Sequence, residues 1–140
     1  MTTKNKISIE TKIKAPIGLI WNLWTSPEHI INWNFASESW CCPNAINDLK
    51  PNGQFNWRME AKDGSMGFDF TGTYQQIQTN ELITYQMADG RSVSINFMIE
   101  ADQVKLIETF EAEGSNSDEL QRLGWQAILN NFKSYVESTI

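Results

Sequence analysis

The sequence predicts an α+β domain: a curved antiparallel sheet of six to seven strands, two short helices after the first strand, and one long C-terminal helix gripped by the sheet. Three patterns carry that prediction. Residues 7–13 alternate apolar and polar with period two. A succession of one-sided alternating segments then runs from Phe55 to Phe110, as expected of a meander with one face covered. After Gly114 the apolar period changes to 3.6 and holds to the end of the chain.

The first strand, Ile7 to Ile13, leads into Ala15-Pro16, where proline suits the first helical position. Ile17, Ile20, Trp21 and Trp24 follow with spacing i, i+3, i+4, i+7 and form one apolar helix face. Ser26-Pro27 repeats the start signal for a second short helix carrying Ile30, Ile31 and Trp33. From Asn34 to Ala45 no period is visible, and the stretch reads as an apolar-rich loop containing Phe35 and Trp40. A short strand is expected around Ile46–Leu49, closed by Pro51-Asn52-Gly53.

The main strands follow in order. Phe55, Trp57, Met59 and Ala61 alternate with polar residues, and Asp63-Gly64 makes a hairpin turn. Phe68, Phe70, Gly72 and Tyr74 form the next inward set, then Ile83, Tyr85 and Met87, with a turn at Asp89-Gly90. Val93, Ile95, Phe97 and Ile99 come next, and Val104, Leu106, Glu108 and Phe110 form the last strand. Asn116 with Glu119 resembles a capping box. Leu120, Leu123, Ile128, Phe132, Tyr135 and Val136 then make an apolar stripe, widened by Trp125 and Leu129. A helix of about 20 residues is about 30 Å long, enough to cover a whole sheet. Gly124 inside it costs about 1 kcal/mol against alanine, which suggests a close backbone approach there.

The bulk composition narrows the function classes. A chain of 140 residues with 41% hydrophobic and 20% charged residues fits one globular domain, residues 1–140. The net charge of −6, with basic residues scattered, argues against a nucleic-acid partner, which needs a clustered positive surface. No apolar run approaches the ~20 residues that span a bilayer, and the first residues carry no apolar leader, so no membrane insertion and a cytoplasmic location are expected. Cys41 and Cys42 are adjacent, a poor geometry for a disulfide, and His29 is the one histidine, so neither a disulfide scaffold nor a Cys/His zinc site is expected. The chain lacks phosphate-loop, dinucleotide and nucleophile-elbow motifs. No metal, no cofactor and no catalytic residue are assigned.

Several segments resemble a known family. They are Ala15-Pro16 through Trp24, Pro27 to Trp33, Asn47 to Phe55, Arg58 to Gly64, Phe68 to Tyr74, Glu108 to Glu113, and Gly124-Trp125-Gln126. In order and spacing the sequence resembles the START-like, birch-pollen-allergen-like (SRPBCC) superfamily, in the branch named after homologues of the heat-shock-protein-90 ATPase activator. The resemblance covers nearly the whole chain. It implies a helix-grip fold, in which the sheet curves away from its helix and leaves space between. A chaperone partner is implied by the branch name alone.

Against that background the inward aromatics become candidates for a pocket lining rather than an ordinary core. The candidate residues are Trp33, Trp40, Phe55, Trp57, Phe70, Tyr85, Phe97, Glu108, Trp125 and Leu129. Glu108 is the most informative, because it shares the register of Val104, Leu106 and Phe110. A carboxylate facing an apolar interior costs several kcal/mol unless paired or protonated. It therefore reaches a structural partner, orients a ligand, or sits where the strand turns outward. Arg58, Glu60 and Asp69 fall on the opposite face and read as a solvated surface. Trp33, Phe35 and Trp40 read as the mouth of the pocket or as a contact to a second subunit, which leaves a homodimer open. Three functions follow: a binding protein for a small apolar or amphipathic ligand such as a lipid or aromatic compound, which is the preferred reading; a chaperone activator; and a cyclase- or hydrolase-like enzyme using Glu108.

Overall fold

The computed structural model describes residues 5–140; residues 1–4, the start of the segment read as leaderless, lie outside the described residues. The elements are β1 (Lys6–Ile13), α1 (Ile17–Thr25), α2 (Pro27–Ile30), β2 (Trp40–Asn47), β3 (Gln54–Ala61), β4 (Gly67–Gln78), β5 (Leu82–Met87), β6 (Ser92–Glu100), β7 (Gln103–Glu111) and α3 (Asp118–Ser138). The strands form one seven-stranded sheet in the order β1-β7-β6-β5-β4-β3-β2. Every neighbouring pair is antiparallel. The first strand thus closes against the last, and the six strands from β2 to β7 form a continuous meander, curled around the C-terminal helix as the helix-grip expectation requires.

Period two is visible in the strands because one face is covered. Ile7, Ile9 and Ile13 of β1 and Val104, Leu106, Glu108 and Phe110 of β7 are all buried. Tight turns join the strands where Gly64 and Gly90 adopt φ of +78° and +92°, a region closed to most side chains. Gly72 serves a different purpose: a Cβ there would run into the Phe55 ring and the Gln86 carbonyl. The bare backbone lets the ring lie across β4. Among the described residues no helix is long and apolar enough to cross a membrane.

The structure corrects several local expectations. Pro16 is the N-cap of α1 rather than its first residue. The stretch read as a loop up to Ala45 pairs with β3 from Trp40 onward, beginning Trp40↔Ala61. A register shift between Cys41 and Asn44 erased the period-two signal that would have revealed the strand. Ile31, Phe68 and Ile99, placed inward by pattern, are exposed. Ile99 lies at the end of β6 beside the turn at Ala101, where φ is +54°.

The start of α3 also differs. Ser117, not Asn116, is the N-cap: its hydroxyl accepts the Leu120 N–H at 3.1 Å. Leu120 and Leu123 are 58% and 59% exposed. The inward position of the first turns belongs to Gln121, whose amide donates to the carbonyls of Glu113 and Asn116 and accepts the Glu113 N–H. These hydrogen bonds tie the β7–α3 connection to the helix. The inward stripe turns apolar with Trp125 and Ile128, which are partly buried, and becomes fully buried at Leu129, Phe132 and Val136, all 0% exposed.

Polar contacts position the helices over the sheet. The Tyr74 hydroxyl donates to Asn47, and the Asn47 amide donates to the Thr25 carbonyl at 2.7 Å, linking β4, β2 and α1. His29 Nδ1 lies 2.7 Å from the Tyr135 hydroxyl, joining α2 to α3. This gives the single histidine a structural partner. The Asn131 amide donates to the Trp33 carbonyl at 2.9 Å and fixes the segment after α2 against α3.

Candidate ligand-binding cavity

A cavity of about 300 Å³ lies between the sheet and the middle of α3. Its lining is Trp24, Trp33, Asn34, Ala36, Trp40, Trp57, Met59, Phe68, Phe70, Tyr85, Glu108, Gly124, Trp125 and Ile128. β3 and β4 supply one wall through Trp57, Met59, Phe68 and Phe70, with the Trp57 and Phe70 rings stacked at 5.5 Å. α3 supplies the opposite wall. The Trp125 ring stacks on Phe110 of β7 at 4.0 Å and meets Phe70 edge-on at 6.1 Å. Trp40 and Phe68, 6.0 Å apart, stand at the rim where Phe68 is half exposed.

Gly124 is part of this wall, and a Cβ built on it would meet nothing within 4 Å. The expected close backbone approach is therefore absent. The glycine faces open space in the middle of a helix, so its missing side chain enlarges the cavity.

Of the residues singled out in the sequence, Trp33, Trp40, Trp57, Phe70, Tyr85, Glu108 and Trp125 line the cavity. Phe55, Phe97 and Leu129 do not, each for a packing reason. The Phe55 ring lies over Gly72 and is sandwiched by Trp57 at 4.1 Å and Tyr85 at 4.8 Å. Phe97 packs against Trp21 at 5.2 Å and against Trp24, which itself lines the cavity, at 6.2 Å. Leu129 is wholly buried, while Ile128 beside it reaches the cavity. Met59 and Phe68 share the alternation of Trp57 and Phe70, so their signal was present in the sequence. Asn34 and Ala36 sit in the connection before β2 and carried none.

Glu108 points inward and is 6% exposed. Its Cα partners across the sheet are Ile9 and Ile95. No hydrogen bond or ion pair reaches its carboxyl from the described residues. Burial alone pushes its pKa up to about 8. Of the three alternatives raised for this residue, a structural partner is absent among the described residues and the side chain does not turn outward. Burial, and secondarily the Glu108 charge, also hold the Tyr85 hydroxyl well above the usual tyrosine range. Neither the Tyr85 hydroxyl nor the side-chain amide of Asn34, itself 6% exposed, has a protein hydrogen-bond partner among the described residues. These three residues, with Trp57, whose buried indole N–H also lacks a partner, line an otherwise apolar, aromatic space, the usual pattern of a small-molecule site.

The remaining candidates are placed elsewhere. Arg58 pairs with Glu60 at 2.8 Å and Asp69 at 3.5 Å on the outer face, as a partly solvated network. The Cys42 thiol is buried, and desolvation pushes its pKa up to about 11, which makes it a poor nucleophile. Among the described residues no group of three metal-ligating side chains is gathered.

Comparison with known proteins now places the chain. Residues 14–137 match the family model described as Activator of Hsp90 ATPase homolog 1-like protein. The chain belongs to that family. The solution structure of a protein of this kind from Aeromonas hydrophila is 43% identical, with a TM-score of 0.91 over 96% of this chain and 94% of that one. A Cytophaga hutchinsonii protein solved in solution is 49% identical, with a TM-score of 0.83 over 96% and 93% of the two chains. A Chromobacterium violaceum crystal structure at 20% identity has a TM-score of 0.85 over 95% and 98%, a likeness of fold alone. No curated protein matches the chain. The family and its SRPBCC helix-grip fold agree with the resemblance read from the residues.

Proposed function

We propose that this protein binds a small apolar or amphipathic molecule in the cavity between β3–β5, β7 and α3. The observation that carries this reading is the cavity itself: about 300 Å³, walled by aromatic rings, with Glu108 buried and unpaired inside it. That volume lies at the lower end of the range for ligand pockets. A collapsed core would fill the space with side chains at close-packed density. Here α3 instead places a glycine opposite the aromatic wall, at a cost of about 1 kcal/mol in helix propensity. Stability given up at a site that holds open space fits selection for an occupant. Chaperone activation rests on the family description and has no residue-level support comparable to the cavity.

The test is thermal-shift screening of the purified protein against aromatic and aliphatic alcohols of increasing size, with Gly124→Leu as the blocked control. Because a ligand that binds the native state raises its melting temperature by mass action, binders should show a concentration-dependent shift. The shift should vanish in Gly124→Leu, whose side chain would occupy the cavity. Equal shifts in both proteins would place binding elsewhere and defeat the reading.

A further inference from the structure

We propose that the preferred ligand is a lipophilic amine, its ammonium group held by Glu108 and Asn34 inside the aromatic wall. This deepens the preceding proposal and rests on it.

The argument starts from charge. The lining contains no lysine, arginine or histidine, and its one acidic residue is Glu108. A carboxylate or phosphate ligand would find no cation there, and above about pH 8 would also meet a like charge. Eight of the fourteen lining residues are aromatic, and ring faces attract cations when water is excluded. Trp57, stacked parallel to Phe70, and Trp125, edge-on to Phe70, present such surfaces around one space. Hydrogen bonding points the same way. Glu108 and Asn34 are both more than nine-tenths buried, line the cavity, and lack protein partners among the described residues. An ammonium group supplies up to three N–H donors for the Glu108 carboxylate and the Asn34 carbonyl. A buried carboxylate that is costly alone becomes tolerable once a counter-charge is bound beside it.

The pairing has a proton signature. Glu108 titrates at about 8 before ligand binds, so an ammonium must displace its proton below that pH. The titratable group facing it is Tyr85 from β5, which stays protonated. β1 and β6 set Ile9 and Ile95 in register beside it, and α3 contributes Gly124, Trp125 and Ile128 to the lining. Arg91 and Tyr74 act on Tyr85.

The experiment is calorimetric titration of the full chain with 4-phenylbutylamine, 4-phenylbutanol and 4-phenylbutanoate at pH 6 and pH 9. The expected result is amine binding at least about tenfold tighter than the alcohol at pH 9, with the acid weakest. Amine affinity should fall roughly 100-fold from pH 9 to pH 6 while the alcohol changes little. In Glu108→Gln the preference for the amine over the alcohol and its pH dependence should disappear, with thermal melting of the variant as the check that it is folded. The wild-type series and pH profile stand by themselves should that variant fold poorly. Alcohol binding as tight as or tighter than the amine overturns the cation inference and leaves the cavity reading intact. Tightest binding by the acid overturns the inference through the sign of the site. Failure of all three probes defeats the inference and the cavity reading together.

Discussion

The interior beneath the sheet has two halves, and both are built from aromatic residues. In one, Trp24, Trp33 and Phe132 contact each other at ring separations of 4.8–4.9 Å, and Phe132 is fully buried. In the other, Trp57, Phe70 and Trp125 stand 5.5–6.1 Å apart around a cavity of about 300 Å³. The first half is packed shut around Phe132, although Trp24 and Trp33 also border the cavity, and the second is a lining. Aromatic content does not separate them. The difference lies in Gly124, which leaves open space where a side chain would stand, and in Glu108, a carboxyl where the strand pattern calls for an apolar residue. The open half is thus marked by one missing and one misplaced side chain.

The sharpest way to break this contrast is truncation in each half. Phe132→Ala should destabilise by about 3–5 kcal/mol, since the surrounding rings cannot collapse into the space. Phe68→Ala, at the half-exposed rim, should cost under about 1 kcal/mol. Urea denaturation measures both, and similar costs would erase the distinction.

The second prediction concerns pH. Glu108 has its folded pKa raised to about 8, against a carboxyl in the usual range when unfolded. The stability it contributes is fully present below about pH 4.5 and is lost as pH rises to about 8. Glu108→Gln cannot titrate, so it should gain on the wild type by on the order of a few kcal/mol between pH 5 and pH 9. Chemical denaturation of both proteins across that range checks the sign. A difference constant with pH would show that the carboxyl is not desolvated.

The smallest effect is Gly124→Ala. A methyl there meets nothing within 4 Å, so helix propensity acts unopposed and should stabilise by about 0.5–1 kcal/mol. Destabilisation would mean that the backbone at Gly124 is more constrained than its open surroundings suggest.

Much of this architecture was legible in the sequence. The meander, its turns at Gly64 and Gly90, and the C-terminal helix follow from periodicity, because each element buries one face. Glu108 was legible as an interior carboxyl for the same reason. Other features were hidden by local chemistry. The bulge after Cys41 disguised β2, and Gln121 occupied an inward position that hydrophobicity would have given to Leu120 or Leu123. Register places a side chain on a face but does not say whether the space opposite is filled. For that reason Phe55, Phe97 and Leu129 read like Trp57, Phe70 and Trp125, and only packing separates them.

The most direct test of the central claim is NMR titration of the 15N-labelled protein with 4-phenylbutanol, following the tryptophan indole N–H signals. The account predicts concentration-dependent shifts for the cavity residues Trp40, Trp57 and Trp125, with Trp21, which lies outside the lining, unmoved. Indole signals that stay fixed at saturating alcohol, or a perturbation centred on the exposed Leu120–Leu123 surface, would contradict it.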